Sequence, residues 1–220
     1  MENFSKDYNK YLKGFNISDK YRSLYLKNIS SNLMIDDTHT NFNVMDKLLN
    51  KRIIILCGEI DDYQCELIKA NLLYLESIDD KSDIKLYINS GGGSVYAGLG
   101  LIDVMDYIKP EIATINTGLA ASMAAVILCS GTKGKRRALK RSRTMIHQPL
   151  GYGGWMQQAS DMEIEAKEIN SLKKELYEII SEKTGQTYDR VHKDGDRDYW
   201  MSAADAKKYG MIDDIITKRK

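Results

Sequence analysis

The chain reads as an α/β protein in which strands, turns and helices alternate and the strands are joined by crossover connections. Three observations predict this. RIIILCG at Arg52 to Gly58 is a continuous apolar run of strand length, IKLYIN at Ile84 to Asn89 is a second strand, and Ile112 to Asn116 is a third. The segments between them carry apolar residues at helical spacing.

In chain order, residues 1–40 are rich in Asn, Asp, Ser, Lys and Tyr and have no clear periodicity, so they read as an N-terminal arm ahead of a domain at 41–220. Val44 to Asn50 reads as a short helix, followed by the strand ending in Gly58. Between Tyr63 and Ile78, Cys65, Ile68, Leu72 and Leu75 fall on one helical face. After the second strand come Ser90-Gly91-Gly92-Gly93-Ser94 and an amphipathic helix to Ile108, ended by Pro110. The third strand leads into TGLAASMAA, Thr117 to Ala125. Ser160 and Glu163 have the spacing of a capping box, and Ile164, Glu168, Leu172, Leu176 and Ile179 continue one face of a long helix to about Glu182.

With 220 residues, 43% of them hydrophobic, the chain can bury one substantial core. Its 32 Lys and Arg against 31 Asp and Glu give a net charge of +1, and nothing in that balance argues for a nucleic-acid or membrane surface. The basic cluster Lys133, Lys135, Arg136, Arg137, Lys140, Arg141, Arg143 reads as a solvated turn and strand edge. Cys57, Cys65 and Cys129 are odd in number and lack metal-type spacing, which suits a reducing compartment. Met1 to Leu12 is polar and charged, and no run approaches the roughly 20 apolar residues of a membrane helix. A cytoplasmic protein is expected.

The chemistry is concentrated in two places. Ser122 stands among small residues, and His147 stands at the end of an apolar strand in TMIHQPLG, Thr144 to Gly151. A serine hydroxyl becomes a useful nucleophile only beside a base that takes its proton, so the pair points to acyl transfer. Gly118, Ala120 and Ala121 allow a tight turn ahead of Ser122, and a helix starting after it offers free backbone N–H groups. The triple glycine follows a strand, so its bare backbone can approach a ligand and donate to a developing oxyanion. An acid to orient the histidine is available in DGDRDYWMSAADAKKYG as Asp194, Asp196, Asp198 or Asp205, and spacing does not choose among them.

RIIILCGEIDD, LYINSGGGSVYAG, GLAASMAA, SRTMIHQPLG, ASDMEIEAKEI and DRDYWMSAADAKKYGMID resemble, in order and near-matching spacing, the ClpP family, the serine peptidase subunits of caseinolytic proteases. The resemblance covers about Asn43 to Ile216. It implies the ClpP/crotonase fold, a spiral of β-β-α units with a protruding handle at about 148–185. It also implies Ser122 as nucleophile, His147 as general base and Asp198 as acid, with the backbone N–H groups of Gly93 and Met123 as oxyanion donors. No cofactor or metal is implied. The implied partners are further copies, in seven-membered rings stacked into a tetradecamer, an AAA+ unfoldase of the ClpX, ClpA or ClpC type, and unfolded polypeptide.

In the same family pattern, Asp196 and Arg197 occupy ring-to-ring contact positions, and Tyr87, Tyr107, Ile115, Leu139 and Ile216 occupy unfoldase-docking positions. The chain departs from the pattern in four places. Gly91 replaces a proline, Lys85, Thr117 and Arg137 stand where apolar residues are usual, GYGGWMQQAS at Gly151 to Ser160 is about two residues longer, and residues 1–40 exceed the usual arm, as a propeptide or altered axial gate would. The alternatives are a ring partner of low activity that complements a paralogous subunit, and a crotonase-like acyl-CoA enzyme.

Overall fold

The computed structural model describes residues 44–151 and 158–218; the N-terminal arm and most of the Gly151–Ser160 segment lie outside them. The elements are α1 (Val44–Leu49), β1 (Ile53–Ile60), α2 (Asp62–Ile78), β2 (Ile84–Gly93), α3 (Val95–Tyr107), β3 (Ile112–Ala121) and α4 (Met123–Cys129). There follow β4 (Arg137–Leu139), β5 (Arg143–Ile146), α5 (Ala159–Thr184), α6 (Tyr188–Asp194), β6 (Tyr199–Ser202), α7 (Ala203–Tyr209) and β7 (Asp214–Ile216). The strands form one sheet in the order β1-β2-β3-β4-β7, with β5 on β3 and β6 on β5. Every pairing is parallel except β5 with β6.

Parallel strands are covered by helices on their faces and so are apolar almost throughout. Ile54 and Leu56, Ile84, Leu86 and Ile88, and Ile112 meet Leu72, Leu75, Leu101 and Ile102 in one buried cluster. The α2 face read from sequence, Cys65, Ile68, Leu72 and Leu75, is the buried face. Asp61 caps this helix by accepting from Gln64 N at 2.7 Å.

Two strands outrun their sequence reading. β2 continues through the glycines to Gly93, and β3 continues through Thr117–Ala121, because both find partners there: Ile60 opposite Gly93, and Thr144 and Met145 opposite Ala120 and Ala121. The tight turn therefore falls at Ser122 itself. In the middle of β3 the ladder is interrupted, since Ile88 pairs with Asn116 but Ser90 pairs with Ala120. Asparagine side chains fill the gap. Asn116 Oδ1 accepts from Gly118 N at 3.0 Å while its Nδ2 donates to Arg143 O at 2.8 Å, and Asn89 Oδ1 accepts from Leu119 N at 3.0 Å.

Two other readings change. The long helix begins at Ala159 after Gln158, without a side-chain cap, so Ser160 and Glu163 lie inside it, and the capping box is instead built by Ser202 and Asp205 at α7. On α5 the buried residues are Leu176, Tyr177 and Ile180, while Ile164 is exposed.

Arg136, read as part of a solvated cluster, is only 3% exposed. Its guanidinium donates to both carboxylate oxygens of Asp213, at 3.0 and 2.6 Å, to Cys129 O at the end of α4 and to Lys183 O near the end of α5. A bidentate partner and two carbonyls offset the cost of burying the charge. Burial pushes the Asp213 carboxyl up, but hydrogen bonds from the Arg136 side chain and backbone outweigh that and hold it below the ordinary carboxylate value. Removing the partner of a buried charge costs about 3–5 kcal/mol, so Asp213→Ala is expected to lower the urea-unfolding free energy by that order at pH 7. A depressed folded value stabilises above the unfolded pKa of about 3.9 and is lost as the pH falls through the folded value. The gap between wild type and variant therefore narrows in acid, which urea titrations at stepped pH measure.

Candidate active site

The site is built at the carboxyl ends of β2, β3 and β5, where an open parallel sheet presents loops and helix starts. Ser122 joins β3 to α4 with φ 56° and ψ −128°, a conformation that residues other than glycine rarely adopt. Holding it costs about 1–3 kcal/mol, which the surroundings must offset. Ser122 N donates to Met145 O at 2.9 Å, and all seven residues of α4, Met123–Cys129, are buried. The hydroxyl makes no capping bond to its own helix and is free to reach outward.

It reaches His147. Ser122 Oγ lies 2.9 Å from His147 Nε2, and His147 Nδ1 lies 2.9 Å from Asp198 Oδ1. The second contact follows from strand register. Ile146 at the end of β5 faces Tyr199 at the start of antiparallel β6, so the residues one step beyond each, His147 and Asp198, meet. The other three candidate acids are engaged elsewhere. Asp194 pairs with Arg190 at 2.5 Å, Asp205 accepts from the Ser202 backbone and hydroxyl, and Asp196 lies beside Arg197 with 3.8 Å between charged atoms.

The glycine strand end closes the other side. Gly92 has φ 101°, and a Cβ there would lie 2.6 Å from Ser122 Cβ and 3.2 Å from Met123 N, so the backbone approaches as only glycine allows. Gly93, at φ 150°, packs with its Cα hydrogens against the Ile60 backbone of β1. Ser90, 2% exposed, anchors the loop by donating to Gly58 O at 2.5 Å and accepting from Gly92 N at 3.1 Å. Met123, the first residue of α4, has an N–H with no acceptor inside the helix. Gly91 adopts no positive φ, and a side chain there would meet open space.

Beside Ser122 and His147 lies a small apolar pocket lined by Val95, Met123, Val126, Ile146, Pro149, Leu176 and Ile180. Burial pushes the Cys65 and Cys129 thiols up to about 11 and about 12, which keeps both protonated and unreactive. Among the described residues no group of His, Cys, Asp or Glu is arranged to hold a metal, and no helix is long and apolar enough to cross a membrane. The docking-position residues fall in cross-strand rows. Tyr87, Ile115 and Arg137 are aligned on β2, β3 and β4, with Ile115 buried between the other two, Leu139 faces Ile216, and Tyr107 is exposed at the end of α3. Sequence reading did not single out Gly92, the residue against Ser122, or Ser90, although both stand inside the glycine motif it names. Gln148, whose Nε2 donates to Asp196 O at 2.8 Å, carries no signal beyond its place next to His147.

A mostly parallel α/β sheet with a hydrogen-bonded Ser, His and Asp at its strand ends is the arrangement of an acyl-transfer site. The chain belongs to the Clp protease family, whose model matches residues 36–219. It is 56% identical over 180 residues to the ATP-dependent Clp protease proteolytic subunit of Bacteroides fragilis, covering 82% of this chain and 86% of the relative. The corresponding subunit of Porphyromonas gingivalis is 53% identical over 205 residues, 92% of this chain and 91% of the relative. A subunit of Synechococcus sp., named as proteolytic subunit 2, is 52% identical over 178 residues, 81% and 89% of the two chains.

Adjacent glycines should respond in opposite ways. Gly92→Ala is expected to reduce hydrolysis of a fluorogenic peptide to background. Gly91→Ala should keep turnover and add about 0.4–1 kcal/mol of stability by restricting the unfolded chain, read from activity and urea unfolding of the same samples.

Proposed function

We propose that the chain is the proteolytic subunit of an ATP-dependent Clp protease, a serine endopeptidase that uses Ser122, His147 and Asp198. The observation that carries this reading is the unbroken chain of two 2.9 Å contacts from Asp198 through His147 to Ser122. With Nδ1–H donating to Asp198, the lone pair of His147 Nε2 points at the serine hydroxyl and takes its proton as Oγ attacks a peptide carbonyl. The carboxylate keeps the imidazole in that tautomer and stabilises the imidazolium that forms. Negative charge on the carbonyl oxygen is met by the N–H groups of Met123 and Gly93, and one such donor is commonly worth about 100 to 1,000-fold in rate. The imidazolium then protonates the departing amine, and a water activated by the same histidine hydrolyses the acyl-enzyme.

The names of the relatives support an ATP-driven partner for this subunit, an AAA+ unfoldase that feeds it unfolded polypeptide. Tyr87, Tyr107, Ile115, Leu139 and Ile216 form the proposed docking surface. The exposed pair Asp196 and Arg197 forms the proposed contact between seven-membered rings in a tetradecamer, with α5 as the handle. Residues 1–40 are proposed as a propeptide or axial-gate arm.

Purified wild type is expected to react with a fluorophosphonate probe as a particle of tetradecamer size on gel filtration, and Ser122→Ala to lose the label without changing size. An intact, unlabelled particle would instead identify a structural partner of an active paralogue. Asp198→Asn should lower kcat by about 10,000-fold, because the histidine then presents the wrong tautomer.

A further inference from the structure

We infer that Tyr177 and Gln148 are positioning residues that hold the turn carrying Asp198, so that helix α5 sets the geometry of the histidine–acid contact. The inference rests on the proposed roles of Ser122, His147 and Asp198.

The need for such a hold follows from exposure. The Asp198 side chain is 58% exposed, and among the described residues its carboxylate has a hydrogen bond only to His147. With so few restraints among the described residues, the position of the carboxylate depends on the backbone of residues 195–197. That backbone is fastened at two successive carbonyls. Tyr177, fully buried on α5, donates its hydroxyl to Gly195 O at 2.7 Å, and a Cβ on Gly195 would lie 2.9 Å from that hydroxyl. Gln148, the residue after His147, donates from Nε2 to Asp196 O at 2.8 Å, and Lys173 of α5 donates to Gln148 Oε1 at 3.1 Å. The Lys173 ammonium also stands over the Tyr177 ring, 5.7 Å from its centroid, so the two fasteners share one support.

Each fastener has a distinct consequence. Gln148 ties the end of β5 directly to the turn before β6, beside the Ile146–Tyr199 pair, and so restrains the separation of His147 and Asp198. Tyr177 ties the same turn to the helix whose Leu176 and Ile180 wall the pocket beside Ser122. Burial, with Asp196 and Tyr188 nearby, pushes the Tyr177 phenol up to about 12, so the hydroxyl remains a donor across the working pH range. A displacement of about 1 Å in a reacting group can cost on the order of 100-fold in rate.

The test is a double-mutant cycle in the full chain, read by fluorophosphonate labelling rate and by kcat and KM on a fluorogenic peptide. Tyr177→Phe is expected to lower kcat and the labelling rate about 10- to 100-fold with KM nearly unchanged. In the Asp198→Asn background the same change should have less than about 2-fold effect, because the contact it supports is already lost. Gln148→Ala, at a less buried position, should show the same pattern and keeps the test decisive if Tyr177→Phe does not fold. Equal losses in both backgrounds would mean a role in folding or assembly alone and would overturn the inference. Wild-type rates in both variants would overturn it as well. Failure of the wild type itself to label would instead bring down the roles of Ser122, His147 and Asp198, and the inference with them.

Discussion

The interruption in the middle of β3 is the constraint on which the contact between Ser122 and His147 depends. Up to Asn116 the strand lies between β2 and β4; beyond it the strand lies between β2 and β5. A strand changes partners only if the backbone groups that lose their ladder find others, because an unpaired buried N–H or C=O costs about 1–3 kcal/mol. Asn116 and Asn89 supply those bonds from their side chains, and the Thr117 hydroxyl adds one to Ile88 O at 3.0 Å. The result brings β5, and with it His147, alongside the end of the strand that carries Ser122.

Strain at Ser122 is tolerable because everything around it is fixed. The buried helix α4 cannot shift without opening the core, Met145 O holds the serine N–H, and the Gly92 backbone is pressed against its Cβ. An unfavourable backbone conformation persists only where its surroundings over-determine it. Here those surroundings also aim the hydroxyl at His147, 2.9 Å away.

Charge has a structural role at the opposite end of the sheet. Arg136 joins the ends of α4 and α5 to the residue before β7, and Arg52, at φ 57°, donates to the carbonyls of Leu75, Asp79, Ser82 and Asp83 around the end of α2. Both guanidinium groups gather carbonyls that helix ends and turns would otherwise leave without donors.

The α/β class, the buried face of α2 and the pairing of a serine among small residues with a histidine at a strand end are legible in the chain, because periodicity and side-chain size act within a few residues. The partner of the histidine is less legible. Spacing leaves Asp194, Asp196, Asp198 and Asp205 equal, the family pattern implies Asp198, and the antiparallel register of β5 and β6 brings Asp198 to His147. Arg136 reads as one more solvated cation until Asp213, 77 residues away, is folded against it. Gln148 and Tyr177 reach the acid's turn across 48 and 18 residues. Local sequence determined which elements form and which residues bear reactive groups. Tertiary structure decided which of those groups meet, because register, partner exchange and burial are properties of strands brought together from distant parts of the chain.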